Sequence, residues 1–484
     1  MVQLRKILFA IFIVLYLILC PTLILYSLGI MIKPGGTKNV IKTGVIYISS
    51  IPPGASVSLN GKPKGNETPA VIDNLLPGTY NLELIAAGYR PWSASVRVFP
   101  EQAIPLDNVL LIPNFLKIAE LSVDSFNTLI PAAGNPYLIT TRGPQAQDVF
   151  VHIWDEGITQ NLIADNETKI SRIKPLFPTD FDQRAAKIAH WYTINNSSYL
   201  FCEIEINGEK RFLWIDPLFG TPKIEDLTEL FPVPPEDVQW STNGRHLLSF
   251  QNNSINRIDI ATKAIYPRII DHTVEFSQIE QNIIYLTEDG ILMKANANGG
   301  AQEPFSTNAL FNDLILHHFP FKKISAVSEN VVVLLGKHGE ILSNLKPYLL
   351  AEEGIVGFKW NPKPDRLLLW SNNRIGFIDF SKDSKFVHKW IAEGVNIADA
   401  FWVNDGTHIL FVDGEKVLLA DTGCCGRPGV EHLIDVRKDT GIYYSDRTGK
   451  ALFINKDNGR LNSVEILPQK SLITFDRTKK PERK

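Results

Sequence analysis

Cysteine is scarce, with four in 484 residues. Cys20 lies in an apolar N-terminal stretch and Cys424 and Cys425 are adjacent, so Cys202 and the rest make at most one bridge, and no disulfide framework holds this chain together. An excess of one charge is also missing. Lys plus Arg number 49 against 52 Asp plus Glu, and no long basic block precedes the last few residues, which excludes nucleic acid as an expected partner. The linear signatures of catalysis are absent too: no HExxH or Cys-x-x-Cys for zinc, no Gly-x-Ser-x-Gly elbow, no Walker A loop and no strand-to-helix dinucleotide fingerprint. Asp457-Asn458-Gly459 lacks an acidic residue at the twelfth position from Asn455 and reads as a hairpin turn, not a calcium loop. The ten histidines are scattered, and the adjacent His317 and His318 would diverge on a strand. No catalytic, cofactor-binding or metal-ligating residue is therefore expected.

What is present is ordinary globular material, 44% hydrophobic and 21% charged, in a length that suits roughly two to four folding units. Residues 7–32 carry no charge over 26 positions. As a helix this run would reach about 39 Å, more than the ~30 Å bilayer core, and it is too long for the apolar part of a secretory signal. It is expected to be an uncleaved transmembrane helix, kinked at Pro21, between a short N-terminus at 1–6 and a Gly/Lys-rich spacer at 33–43. Arg5 and Lys6 on one side and Lys33, Lys38 and Lys42 on the other leave the positive-inside count undecided.

From Gly44 the text changes to short apolar alternations broken by Pro and Gly. Val45 and Tyr47, Val57 and Leu59, Leu82 and Leu84, and Val96 and Val98 keep period two, which predicts five or six half-buried strands in an antiparallel sandwich over 44–113. Asn60-Gly61 is a type I′ hairpin signal. Pro52-Pro53-Gly54-Ala55 is followed by Val57-Ser58-Leu59-Asn60-Gly61, Glu67-Thr68-Pro69, Gly78-Thr79-Tyr80, and Gly88-Tyr89 with Trp92. These residues resemble the PEGA domain, a bacterial surface module named for a Pro-Glu-Gly-Ala tetrapeptide, with Pro53 in place of the Glu. The resemblance implies an extracytoplasmic, non-catalytic sandwich, hence a cytoplasmic N-terminus and the bulk of the chain outside. Tyr89 and Trp92 read as corner packing rather than a sugar platform.

Residues 114–470 repeat. WSTNGRHLLSF from Trp240, WNPKPDRLLLW from Trp360 and WVNDGTHILFV from Trp402 share a Trp, a polar turn, a basic or His residue and an apolar run, and an Asp follows each Trp by 19 residues, at Asp259, Asp379 and Asp421. A fourth copy has Phe276 for the Trp and Ala295 for the Asp, a fifth runs from near Trp191 to Asp216, and weaker units bring the total to seven or eight. One such meander cannot bury both its faces, so circular stacking into a β-propeller is expected. The repeat resembles the WD40-like units of TolB-type propellers, whose Trp-Ser-x-Asp-Gly turn is nearest at Trp240-Ser241-Thr242-Asn243-Gly244. Each Trp reads as packing between blades and each Asp as a hydrogen-bond acceptor in a strand-end turn.

Two features remain. Cys424-Cys425, flanked by Gly423, Gly426 and Arg427, suits an irregular hairpin or a redox pair. Residues 471–484 form a basic tail. The sequence as a whole reads as mainly β: a transmembrane helix, a PEGA-like sandwich, then a seven- or eight-bladed propeller. The expected function is a membrane-anchored, non-catalytic binding or scaffolding protein of the bacterial cell envelope, whose partners are the membrane through 7–32 and an envelope protein or polysaccharide. An envelope hydrolase at the propeller funnel, or a thiol sensor at Cys424 and Cys425, is the alternative.

Overall fold

The computed structural model describes residues 9, 11–20, 30–32, 40–131, 137–143, 145, 148–154, 170–177, 186–192, 199–217, 222–240, 246–361, 365–380, 387–422, 429–445 and 448–467. Strands dominate them.

The N-terminal apolar run is helical at 11–20, and the side chains of Ile11 to Leu19 are all exposed. The run does not continue as a helix to Ile32. Ile30–Ile32 is a strand, paired antiparallel with Val40–Lys42 at the end of the Gly/Lys-rich spacer, which corrects the helix expected over 7–32. The β-branched Ile30 and Ile32, directly after Gly29, favour extended backbone once a partner strand is in reach. Among the described residues no helix is long and apolar enough to cross a membrane.

The sandwich has seven strands in two sheets. Lys62–Glu67, Ser56–Leu59, Gly78–Ile85 and Trp92–Val98 form one; Ala70–Leu75, Gly44–Ile51 and Ala103–Leu110 form the other. Period-two alternation sends Ile46, Ile48, Val57, Leu59, Leu82, Leu84, Val96 and Val98 into one shared core. Asn60 and Gly61 both adopt positive φ, 51° and 74°, and join two strands that pair at Leu59 and Lys62. The sheet is not wholly antiparallel: Gly44–Ile51 runs parallel to Ala103–Leu110. Such a pair needs a long crossover, which alternation within a strand cannot reveal.

Among the described residues eight four-stranded antiparallel sheets follow. We number these blades 1 to 8 along the chain: residues 128–175, 186–226, 237–270, 273–304, 321–351, 357–393, 397–435 and 442–465. Blade 8 supplies only three strands of its own, and its outermost strand is Ile118–Ser125, paired in register from Ile118 opposite Val464. The two ends of the ring are thus held in one sheet.

Shared cores show that the ring closes. Blades 1 and 2 meet at Tyr137, Ile139 and Cys202, 2 and 3 at Phe212, Trp214 and Trp240, and 3 and 4 at Phe250 and Phe276. Continuing round, the junctions are at Leu286 and Leu334, Val333 and Leu369, Trp370 and Trp402, Leu410 and Phe453, and finally Leu452 against Leu129 and Leu138 of blade 1. Each sheet buries both faces only through its neighbours, which is the propeller arrangement.

A helix, Ala309–His318 (α1), interrupts the pattern between blades 4 and 5. Asn308 caps it by accepting from the Phe311 N–H at 3.0 Å, and Phe311 and Ile315 plug the core between those blades. His317 and His318 lie in its last turn with ring centroids 5.0 Å apart, not on a strand with diverging side chains.

The sandwich sits on blades 7 and 8. Leu110, from the end of its last strand, belongs to the core those blades share, and Ile51 and Ile112 pack against it. Arg90 reaches Glu431 of blade 7 at 2.8 Å, and Asn404 Nδ2 donates to the Asn108 carbonyl at 3.0 Å.

Candidate functional site

The repeat residues take equivalent places. Trp240, Trp360 and Trp402 stand at or near the end of an innermost strand, each paired with the second residue of the next strand: Leu247, Leu367 and Ile409. Trp402 is buried between blades 6 and 7, and its indole N–H donates to the Lys359 carbonyl at 3.1 Å. Trp240 is buried against blade 2, whereas Trp360 is half-buried, stacked on Phe380, with no partner for its indole N–H.

Asp259, Asp379 and Asp421 close the third strand of blades 3, 6 and 7, opposite His246, Arg366 and His408. The first two pairs lie 3.6 and 3.5 Å apart. Asp259 also accepts from the Thr262 N–H at 3.0 Å, and that bond holds its carboxyl below the usual range. In blade 4 the residue opposite the start of the second strand is Asn296, not Ala295. Its side chain accepts from the N–H groups of Asn298 and Gly300, so an amide does the turn-capping there.

The PEGA-like tetrapeptide, Pro52 to Ala55, forms the corner between the two sandwich sheets. Gly54 has φ 89°, Ala55 is fully buried, and Gly54 and Ala55 donate to the carbonyl and hydroxyl of Thr68 at 2.8 and 3.0 Å. Gly88 and Tyr89 form a second corner that grips the chain leaving for the propeller: Asn114 N–H donates to Gly88 O at 2.9 Å and Tyr89 bridges Pro113. These corners are structural. The turn at 241–245, the tail at 471–484, and Cys424 and Cys425 lie outside the described residues.

The strongest concentration of chemistry is on the innermost strands, in residues the repeat analysis passed over. Three positions before Trp240 and Trp402 stand Asp237 and Asp399. In blades 4 and 5 the residues paired with the second residue of the second strand are Gln278 and Ala326, and three positions before them stand Glu275 and Lys323. Four ionisable side chains thus share one level of the ring. The neighbours that alternate with Asp237 and Asp399, namely Val238, Trp240, Ala400 and Trp402, go into the cores shared with the preceding blade, leaving Asp237 and Asp399 on the opposite face of their strands.

Polar bonds knit the inner strands. Gln239 donates to the Phe276 carbonyl at 3.1 Å and accepts from the Gln278 N–H at 3.0 Å, while Ser277 Oγ accepts from the Ala326 N–H at 3.1 Å. Lys359 pairs with Asp399 at 2.7 Å and lies 3.6 Å from the centre of the Phe401 ring. Burial lowers the Lys359 pKa, against the pull of Asp399. Burial and the charge of Asp237 push the Glu275 carboxyl up to about 8, with Lys323 opposing the shift. Near neutral pH the Glu275 carboxyl therefore keeps its proton. Lys323 is exposed, and its ammonium makes no ion pair with another described residue. The described residues contain no group of His, Cys, Asp and Glu able to hold a metal.

Asp237-x-x-Trp240 and Asp399-x-x-Trp402 were visible as a repeated spacing. Glu275 was hidden because blade 4 turns more tightly, from Ile279 to Asn282, which shifts its register against the Trp phase.

Residues 43–111 match the PEGA domain family. No curated protein matches the chain. Solved structures similar to it include the β-propeller domain of Swd1 (Cps50) from Myceliophteria thermophila, at 10% identity over 72% of this chain and 99% of that one, TM-score 0.35. The computationally designed protein Ika8 is similar at 12% identity, over 72% and 98%, TM-score 0.43. An oligogalacturonate lyase from Vibrio parahaemolyticus is similar at 10% identity, over 73% and 99%, TM-score 0.38.

Proposed function

We propose that this chain is an extracytoplasmic binding or scaffolding protein of the bacterial cell envelope, held at the membrane by its N-terminal apolar segment and non-catalytic. The observation that carries the reading is the joint between its two domains. Leu110 lies inside the core of blades 7 and 8, so the sandwich nearest the apolar segment and the ring form one body and present the ring's surfaces in a fixed pose. Two further facts support it: the PEGA family match at 43–111, and a helix at 11–20 whose apolar side chains are exposed all round, as suits a lipid surrounding. The partner is an envelope protein or a polysaccharide. The test is a reporter fused after Lys484 together with affinity capture of the full-length chain from envelope extract. Reporter activity outside the cytoplasm and a saturable envelope partner are expected; a cytoplasmic C-terminus overturns the reading.

A second reading has one observation in its favour. Burial and the neighbouring Asp237 keep the Glu275 carboxyl protonated near neutral pH, and a protonated carboxyl beside a second carboxyl group is an arrangement that acid-assisted hydrolysis of glycans uses. Turnover of glycan, peptide or ester substrates that vanishes in Glu275→Gln would establish an envelope hydrolase in place of a scaffold.

A further inference from the structure

We propose that helix α1 and the groove beside it form a self-complementary interface, at which two copies of this chain pair about a two-fold axis. The inference goes beyond the envelope partner proposed above: it concerns a different partner, a second copy.

α1 is apolar on two sides. Phe311 and Ile315 fill the core between blades 4 and 5, yet Leu310 and Leu316 are 69% and 55% exposed. A surface helix normally turns one apolar stripe inward and polar side chains outward, so a second apolar stripe calls for a second covering surface. Leu310, Asp313, Leu314, Leu316 and His317 line an open groove of about 600 Å³, and Tyr348 forms its far wall. The Tyr348 hydroxyl accepts from the Asn308 amide at 2.9 Å and its ring stands 5.9 Å from Phe311, which fixes that wall beside the N-terminal half of α1. Near the other end Leu316 lies over Gly290, which carries the apolar patch on to the exposed Ile291 of blade 4.

The sandwich occupies the other rim of the ring. α1 leads into the start of the inner strand of blade 5, Phe321–Ser328, whereas the sandwich is bonded to Asn404, just past the end of the inner strand of blade 7, Ile397–Val403. Inner strands run the same way round a propeller, so the two sites lie at opposite ends of these strands.

The order of the side chains along α1 points to a second copy. Asp313 and His317 stand one turn apart on the outer face, both exposed. Let two such helices pack antiparallel about a two-fold axis level with Ile315. Asp313 of each copy then comes level with His317 of the other, and Leu314 with Leu316. A carboxylate meets an imidazole N–H twice, and each Leu316 enters the groove between Leu314 and Tyr348 of the other copy. A parallel pairing in register sets Asp313 against Asp313 and is opposed by like charge. The sequence of acid, Leu, Leu and His is thus complementary to itself in the antiparallel sense alone.

The test is sedimentation velocity of the full-length chain in detergent solution, from about 1 to 100 μM. A monomer–dimer equilibrium is expected. Asp313→Lys puts a cation opposite His317 and should weaken pairing about tenfold or more, as should Leu316→Glu, which places a charge in the groove. Asp313→Lys combined with His317→Glu exchanges the two signs and should restore pairing to within about threefold of the wild type. The three side chains are exposed, so these changes spare the blade cores, and a thermal melt of each variant checks this. Pairing through the N-terminal apolar segment would not respond to the exchange, which separates the two sources. A chain that is monomeric at every concentration leaves the groove to a different partner and overturns the proposal. So does a dimer that either Asp313→Lys or Leu316→Glu leaves unchanged, or one that the exchanged pair fails to restore. Each of these results leaves the reporter fusion and the capture of an envelope partner untouched.

Discussion

Blades 6 and 7 and blades 4 and 5 solve the same packing problem with different side chains. The junction of 6 and 7 is filled by Trp402, with Trp370 and Phe411, and the third strands end in a carboxylate facing an Arg or a His. The junction of 4 and 5 has no Trp. Its outer strands are short, Glu303–Pro304 and Leu349–Ala351, and α1 inserts Phe311 and Ile315 where strand side chains would otherwise meet. Asn296 caps its turn with an amide instead of a charge. The comparison teaches that the ring needs volume between sheets and an acceptor at each strand end, and is indifferent to which residue supplies them.

The first way to break the comparison is by volume. Trp402→Ala should cost about 3–5 kcal/mol, because the indole is buried and its N–H is bonded, and Phe311→Ala a similar amount on the helical side. Trp360→Ala should cost about 1–2 kcal/mol, since that ring is half-buried with an unbonded N–H. Denaturant unfolding of the three variants measures this, and equal losses at Trp360 and Trp402 would erase the distinction drawn between them.

The strand-end acceptors come next. Arg366→Ala leaves the buried Asp379 carboxylate without its cation and should cost about 2 kcal/mol, against about 1 kcal/mol for Asn296→Ala, where no charge is stranded. Reversed magnitudes would show that the amide, not the ion pair, is the stronger clasp.

Titration sharpens the comparison across the ring. His152, on blade 1, is buried and held down to about 4, so between pH 6.5 and 4 the unfolded chain takes a proton that the folded one refuses. Stability should fall as pH drops through that window. Glu275 has the opposite sense: its folded value is raised to about 8, so the folded chain keeps a proton that the unfolded one loses. Its contribution is lost as pH rises from about 4.5 to 8. Glu275→Gln should remove that slope and gain about 1–2 kcal/mol at pH 9, read as a melting-temperature difference between pH 6 and pH 9. An unchanged slope would show that Glu275 does not keep its proton as described.

The smallest effect is expected at the cap of α1. Asn308→Ala should cost about 1 kcal/mol while leaving blades 6 and 7 unaffected in hydrogen exchange. Loss of protection around Trp402 would mean that the two halves of the ring unfold together.

The sequence by itself determined what depends on neighbours along the chain. Period-two alternation placed the sandwich strands, Asn60-Gly61 fixed a two-residue hairpin, and the recurrence of Trp, basic residue and Asp marked three blades, because a strand's inward face and a turn's positive φ are local requirements. Tertiary structure decided the rest. The parallel partner of Gly44–Ile51, the use of Ile118–Ser125 to close blade 8, the strand at Ile30–Ile32 and the shift from Ala295 to Asn296 all depend on which distant strand is adjacent. The charged belt was half legible, in the Asp-x-x-Trp spacing of Asp237 and Asp399. Glu275 and Lys323 became its members, and Lys359 the partner of Asp399, only when the ring set strands from five blades side by side, since a charge acts on whatever is near it in space and not on what is near it in sequence.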